Sequence, residues 1–180
     1  MKAVKENNTY KLPTKVDRIY YKTFNMCDIA GSFTSSGWQG TDKGTNYIYG
    51  KANAYEVRGN PTVTSTYTFN TPIPARTYVY NLTVTGQENG YYNNPTVTIT
   101  YENSNTEVVF SQTISTNSCN IDFSFEAKYP VKSISIQGTL THTSVNYVWV
   151  YMTLTSKSFV SNQGDYDYYE DKTTYYAIGE

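Results

Sequence analysis

The 180-residue chain has neither an excess of charge of one sign nor a long apolar run. Its 14 Lys and Arg stand against 15 Asp and Glu, which leaves a formal net charge of -1. A chain this balanced presents no basic surface to phosphate, so we expect no nucleic-acid partner. No apolar stretch approaches the roughly 18 residues that a membrane-spanning helix needs, so we expect no membrane partner either.

Cysteine and histidine are scarce as well. Cys27 and Cys119 are far apart without Cys-x-x-Cys spacing, and His142 is the one histidine. Structural zinc takes four ligands, so the sequence predicts no metal site, and no sequence pattern calls for a cofactor. We interpret the cysteines as two buried free thiols, and a disulfide between them is the alternative that the sequence leaves open.

The usual catalytic patterns are missing as well. A serine triad could use only His142, and no Gly-x-Ser-x-Gly elbow occurs. Asp122 and Glu126 face the same way on one predicted strand, but four residues at ~3.3 Å each place them about 13 Å apart. That separation exceeds the limit of about 9.5 Å for an inverting glycosidase. We therefore predict that the chain is not an enzyme and has no catalytic residues.

Tyrosine and threonine, in contrast, are abundant and alternate along the chain. There are 20 tyrosines, and the alternation is clearest over residues 62–69 and 146–155. Successive side chains of a strand point to opposite faces, so this period of two predicts sheet. Alanine and leucine, the best helix formers, are few. The fold class that we predict is all-β, an antiparallel jelly-roll-like β-sandwich with N- and C-terminal arms.

Turn sequences such as Arg58–Pro61 and Asn70–Pro74 separate the predicted strands. These strands cover residues 16–24, 46–50, 53–58, 62–70, 77–86, 95–101, 106–114, 120–127, 131–140 and 145–156. We predict an N-terminal arm and first strand over 1–30, a β-sandwich domain over 31–160 and an acidic, tyrosine-rich tail over 161–180. Five tyrosines in that tail are more than solvation needs, so we expect it to pack on a neighbouring subunit.

The alternation also predicts which side chains form the core. Apolar rows alternate with Thr, Ser, Asp or Lys rows, the pattern of antiparallel strands with one buried face. The predicted core rows are Tyr78, Tyr80, Leu82 and Val84; Val97, Ile99 and Tyr101; Ile121, Phe123, Phe125 and Ala127; and Ile134, Ile136, Gly138 and Leu140.

Aromatic side chains outside those rows are the candidate binding residues, because rings bury a large area and can stack on sugar faces. They lie in three places: the strand row Tyr147, Trp149 and Tyr151, the glycine-flanked Trp38, and Tyr91 and Tyr92 in a predicted loop over 87–94. An ordinary structural role is the alternative at each place, most of all in the strand row, because a central sandwich strand often buries one aromatic.

An early glycine loop with a tryptophan, Ser36–Thr41, and the strand Tyr78–Thr85 resemble features of jelly-roll β-sandwiches. The pattern over residues 31–156 is similar to carbohydrate-binding, galactose-binding-like modules. Such modules occur beside secreted glycan-degrading enzymes and in bacteriophage tail, fibre and capsid-accessory proteins. The resemblance implies a binding protein whose partner is a glycan.

Two functional hypotheses follow. The first is a non-enzymatic structural component of a virion, made in a host cytoplasm, with other virion subunits as partners, a homo-oligomeric state and host-glycan binding. The N-terminal segment of the chain, Met1–Asn8, lacks the apolar core of a secretory signal, which favours this first hypothesis unless a signal has been removed. The alternative is a carbohydrate-binding module of a secreted or cell-surface glycan-degrading system. A bacterial adhesin subunit stays open as a third class.

Overall fold

The computed structural model describes residues 4–6, 9–11, 15–37, 39–54, 62–86, 90–113, 115–142, 148–161 and 168–174. Side chains are described over residues 19–37, 43–50, 62–86, 93–113, 116–141 and 150–161. Strands dominate this part of the chain, and its helical piece is the short 3-10 turn Met26–Asp28. No helix within the described residues has the length and hydropathy to cross a bilayer. The all-β class predicted from the alternation is confirmed.

The chain forms two compact units, the first of which combines Met1–Thr23 with Val160–Glu180. In this unit β1 (Val4–Glu6) pairs antiparallel with β2 (Thr9–Lys11). β3 (Lys15–Thr23) pairs antiparallel with a strand from the C-terminal tail, Tyr168–Thr174. The tail thus has a strand partner within its own chain, while its packing on a neighbouring subunit stays a prediction.

The second unit, Phe24–Phe159, is a sandwich of two antiparallel sheets. Its strands are β4 (Gly31–Ser36), β5 (Gln39–Lys43), β6 (Tyr47–Ala54), β7 (Thr62–Ile73), β8 (Thr77–Gly86), β9 (Gly90–Tyr101), β10 (Thr106–Ser111), β11 (Ser115–Thr116), β12 (Ser118–Glu126), β13 (Val131–His142) and β14 (Val148–Ser161). The tail strand of the first unit is then β15.

The first sheet has the order β4–β7–β13–β9–β10, with β11 paired to β9. The second has the order β12–β8–β14–β6–β5. Since the chain passes repeatedly from one sheet to the other, the arrangement is jelly-roll-like. The β-sandwich predicted from the spacing of strands and turns is confirmed.

The core lies between these two sheets. Of the predicted core rows, those on β8, β9 and β13 are buried throughout. The fourth row, on β12, is only partly buried: Phe125 and Ala127 are in the core, whereas Ile121 and Phe123 are half-buried. β12 is the edge strand of its sheet. Its inward-pointing side chains therefore have a neighbouring strand of the same sheet, β8, on one side only.

Three local expectations need correction. The short strands β4 and β5 were not predicted from the sequence, whose polar and glycine-rich composition there suggests a loop. β6 runs without interruption through residue 51, so the predicted break after residue 50 is wrong. Tyr91 and Tyr92 were predicted to lie in a loop, but β9 begins at Gly90. Pairing of these residues with β13 overrides the turn-like composition around them.

Both cysteines are free, as the first interpretation had it, but neither is fully buried as that interpretation expected. Cys27 and Cys119 are half-buried, and burial raises the pKa of each thiol. A raised pKa keeps a thiol protonated and poorly nucleophilic near neutral pH. These cysteines therefore act as small packing residues.

Candidate functional site

Three tyrosines lie together on the outward face of the second sheet. Tyr47 and Tyr49 come from β6, and Tyr151 comes from the neighbouring strand β14. The ring centroids of Tyr47 and Tyr49 are 6.1 Å apart, and those of Tyr49 and Tyr151 are 6.2 Å apart. The ring planes are inclined by 43° and 54°, so the three rings are neighbours but do not lie in one plane. We call these residues the tyrosine cluster.

Strand alternation forces this placement. On β6, Ile48 and Gly50 point inward and are buried, so Tyr47 and Tyr49, which alternate with them, face outward. On β14, Val150, Met152 and Leu154 are buried in the same way. Antiparallel pairing then brings together tyrosines that are about a hundred residues apart in the sequence.

The tyrosine cluster borders an open cleft of about 390 Å³. Its lining consists of Tyr47, Tyr49, Tyr151, Thr85 and Thr153. Three aromatic rings offer broad apolar area, and the two threonines add hydroxyl groups that both donate and accept hydrogen bonds. This combination suits a flat ligand with an apolar face and a hydroxyl-bearing rim, which describes a pyranose ring.

A glycine turn holds the ring of Tyr47. Gly44 donates its backbone N–H to the carbonyl oxygen of Tyr47 at 2.7 Å, which closes the turn between β5 and β6. A Cβ atom at Gly44 would overlap the Tyr47 ring itself. The Tyr47 ring therefore lies against this turn, and a side chain at residue 44 would have to displace it.

Beside the tyrosine cluster, β8 and β12 carry a network of polar side chains. The Nδ2 amide of Asn81 donates to Asn120 Oδ1 and to Asp122 Oδ1, each at 2.7 Å. Thr83 donates its hydroxyl to Asn81 Oδ1 at 2.8 Å. Lys157 Nζ on β14 lies 2.7 Å from Asp122 Oδ2. We call these five residues the amide–acid network.

The amide–acid network keeps Asp122 ionised. The hydrogen bond from Lys157, followed by that from Asn81, lowers the pKa of Asp122 below its usual value. Lys157 compensates the resulting negative charge, although both side chains stay about half exposed to solvent. The network thus offers hydrogen-bonding groups with little net charge.

The candidate residues from the sequence fall in different places. Tyr151 belongs to the tyrosine cluster. Trp38 and Tyr147 lie outside the described residues. Tyr91, Tyr92 and Trp149 lie on described strands, but their side chains lie outside the described part of the chain. For all six candidate residues, Tyr151 included, a binding role stays a prediction.

Sequence reasoning missed Tyr47 and Tyr49. The alternation Tyr47-Ile-Tyr49 within a predicted strand was a usable signal, because it places both rings on one face. What the sequence could not supply was the pairing of β6 with β14, which brings that face beside Tyr151.

Within the described residues, no three His, Cys, Asp or Glu side chains come together in a way that could hold a metal ion. His142, the one histidine, ends β13, and its side chain lies outside the described set. The described side chains of the outward face offer aromatic rings for stacking and polar groups for hydrogen bonding.

No protein-family model matches the chain, and no curated protein matches it in sequence. Among solved structures it is similar to the N-terminal cellulose-binding domain of β-1,4-glucanase C from Cellulomonas fimi. The identity is 13%, covering 73% of this chain and 90% of that one, with a TM-score of 0.45. It is also similar to a family 29 carbohydrate-binding module from Piromyces equi, at 13% identity, 87% and 96% coverage and a TM-score of 0.34.

A third similar structure is the enzymatically active domain of tailspike protein 4 from bacteriophage CBA120. The identity is 8%, the likeness covers 70% of this chain and 19% of that one, and the TM-score is 0.40. Two of these structures are carbohydrate-binding modules and one is from a bacteriophage tailspike, which are the two kinds of protein that the sequence resemblance named.

Proposed function

We propose that the chain is a non-enzymatic glycan-binding protein that uses the outward face of its second sheet. The observation that carries this proposal is the tyrosine cluster beside an open cleft with threonine hydroxyls. The three rings are half-buried, so part of each remains open to a ligand. Rings held in place before binding lose little entropy when a ligand stacks on them.

The setting in which this binding occurs is a separate proposal. We propose a virion component, a tail, fibre or capsid-accessory protein with homo-oligomeric packing and host-glycan attachment, supported by the sequence resemblance and the abundance of Thr, Asn and Tyr. The alternative is a carbohydrate-binding module of a secreted or surface glycan-degrading system. Both settings use the same face. Trp38, Tyr91, Tyr92, Tyr147 and Trp149 stay candidate additions to it.

Binding can be tested by affinity electrophoresis of the full chain in gels containing mannan, xylan, mixed-linkage β-glucan or galactan. We expect retardation by at least one polysaccharide, and loss of that retardation in Tyr49→Ala and Tyr151→Leu. Tyr129→Ala is the matched control, because Tyr129 is 52% exposed and lies outside this face. Retardation that survives both cluster substitutions, or that Tyr129→Ala removes, would contradict the proposal.

The setting can be tested by the solution mass of the full chain. An assembly component should form a defined homo-oligomer, whereas an independent module should be monomeric. Removal of residues 161–180 is a poor test on its own, because it also deletes β15, which pairs with β3. A monomer over the micromolar range would contradict the homo-oligomeric virion proposal and leave glycan binding intact.

A further inference from the structure

The tyrosine cluster and the amide–acid network lie on the same outward face, in shared rows that cross four strands. Pairing of β6 with β14, β14 with β8 and β8 with β12 sets these rows. One row is Tyr47, Thr155, Asn81 and Asp122, and the next is Tyr49, Thr153, Thr83 and Asn120. Each row begins with a tyrosine on β6 and ends with a hydrogen-bonding side chain on β12.

We infer that the two groups are halves of one site, and that its ligand is a neutral oligosaccharide chain lying across the strands. The inference rests on the proposed function. Three strand spacings of about 4.8 Å give each row a length of about 14 Å. A single sugar cannot reach from one end to the other, whereas several linked pyranose rings can.

The two ends of the site have different chemistry. At the β6 end, sugar rings stack on tyrosines. At the β12 end, the internal hydrogen bonds fix the direction of the polar groups: Asn120 uses its Oδ1 on Asn81, so its amide N–H groups remain to donate. Asp122 keeps acceptor capacity beyond the bonds from Asn81 and Lys157. Sugar hydroxyls can satisfy both kinds of group.

Asn81 is a positioning residue in this arrangement. Its amide nitrogen and its oxygen are already bonded to network side chains, and it orients Asn120 and Asp122 together. The charges in the two rows point to a neutral ligand. Among their described side chains the one ionised group is Asp122, which Lys157 pairs. An acidic sugar placed there would meet a carboxylate and would have to compete with it for Lys157.

The test compares long and short neutral probes by calorimetric titration of the full chain. The probes are mannohexaose with mannobiose and cellohexaose with cellobiose. We expect a hexasaccharide to bind more tightly than its disaccharide. Asn120→Ala and Asp122→Ala should each weaken hexasaccharide binding by about tenfold or more and leave the disaccharide unchanged. Ser124→Ala, on the same strand and face but outside both rows, should have no effect.

The inference would be overturned if Asn120→Ala and Asp122→Ala both bound the hexasaccharide as tightly as the wild type while Tyr49→Ala lost affinity for it. The proposed function would then still stand. If the wild type bound neither hexasaccharide and no polysaccharide, both the inference and the proposed function would be overturned. Hexagalacturonate should bind more weakly than the neutral hexasaccharides. Equal or tighter binding of this acidic probe would overturn the neutral ligand class.

Discussion

The hydroxyl of Tyr80 gives the sharpest test of how this core is built. Tyr80 on β8 is fully buried, and its ring stacks on Phe123 and Phe125 at centroid distances of 6.2 and 5.8 Å. Its hydroxyl has no hydrogen-bond partner among the residues that the structure describes. Burial raises the pKa of Tyr80 well above its usual value, so the group stays neutral. Tyr80→Phe removes only this hydroxyl and keeps the stacking.

Tyr78, two residues earlier on the same strand face, is the matched control. It is also buried, but its hydroxyl donates to the Pro74 carbonyl oxygen at 2.8 Å. An unsatisfied buried polar group costs about 1–3 kcal/mol, and a satisfied hydrogen bond contributes about 1 kcal/mol. We therefore expect Tyr80→Phe to raise the free energy of unfolding by about 1 kcal/mol and Tyr78→Phe to lower it by about 1 kcal/mol.

Urea titration of the two variants beside the wild type measures both effects. At an unchanged slope, the midpoint should rise for Tyr80→Phe and fall for Tyr78→Phe. In thermal unfolding a difference of about 2 kcal/mol between them corresponds to roughly 4–8 °C in Tm for a chain of this size. If Tyr80→Phe destabilises as much as Tyr78→Phe, the hydroxyl is bonded in the folded protein and the reasoning is wrong.

Two further predictions concern the binding face. Gly44→Ala should displace the Tyr47 ring and weaken glycan binding by about two- to tenfold, whereas Thr45→Ala in the same turn should not; equal affinities in titration would contradict this. The hydrogen bond from Lys157 lowers the pKa of Asp122 in the folded protein. The network therefore stabilises the fold at any pH above the usual Asp pKa of about 4. This stabilisation is lost as the pH falls through the lowered pKa that Asp122 has in the folded protein. Urea titrations from pH 7 to 2 should show wild type more stable than Asp122→Asn at pH 7, with the gap closing in acid. A gap independent of pH would contradict it.

Local periodicity was enough to predict most of the core. Tyr80, Ile99 and Ile136 alternate with polar residues along their strands, and all three are fully buried. Such a prediction needs no knowledge of neighbouring strands, because alternation alone fixes which residues share a face. It fails where neighbours decide the outcome. Ile121 alternates in the same way, yet it is half-buried because β12 lies at the sheet edge.

The site was less predictable because pairing creates it. Tyr47 and Tyr151 become neighbours only when β6 pairs with β14, and nothing local in the sequence encodes that choice. Tyr91 shows the reverse error: asparagine and glycine around it indicated a loop, but pairing with β13 extends the strand. Asn81 and Asp122 were visible as ordinary outward polar residues. Their hydrogen bond emerges only from the register of β8 with β12.

The two outward faces of the sandwich differ in a way that supports the proposed binding role of the aromatic face. The outward positions of the first sheet are also rich in hydroxyls, and none of their described side chains is aromatic; they include Thr64, Thr66, Thr68, Thr96, Thr98, Ser133 and Ser135. Strand propensity explains those threonines, since β-branched residues suit a half-exposed sheet. Tyrosine shares that propensity, so propensity alone would scatter it over both faces. The described outward tyrosines of the sandwich strands instead gather at one cleft, beside the amide–acid network, and the proposed glycan binding accounts for this clustering.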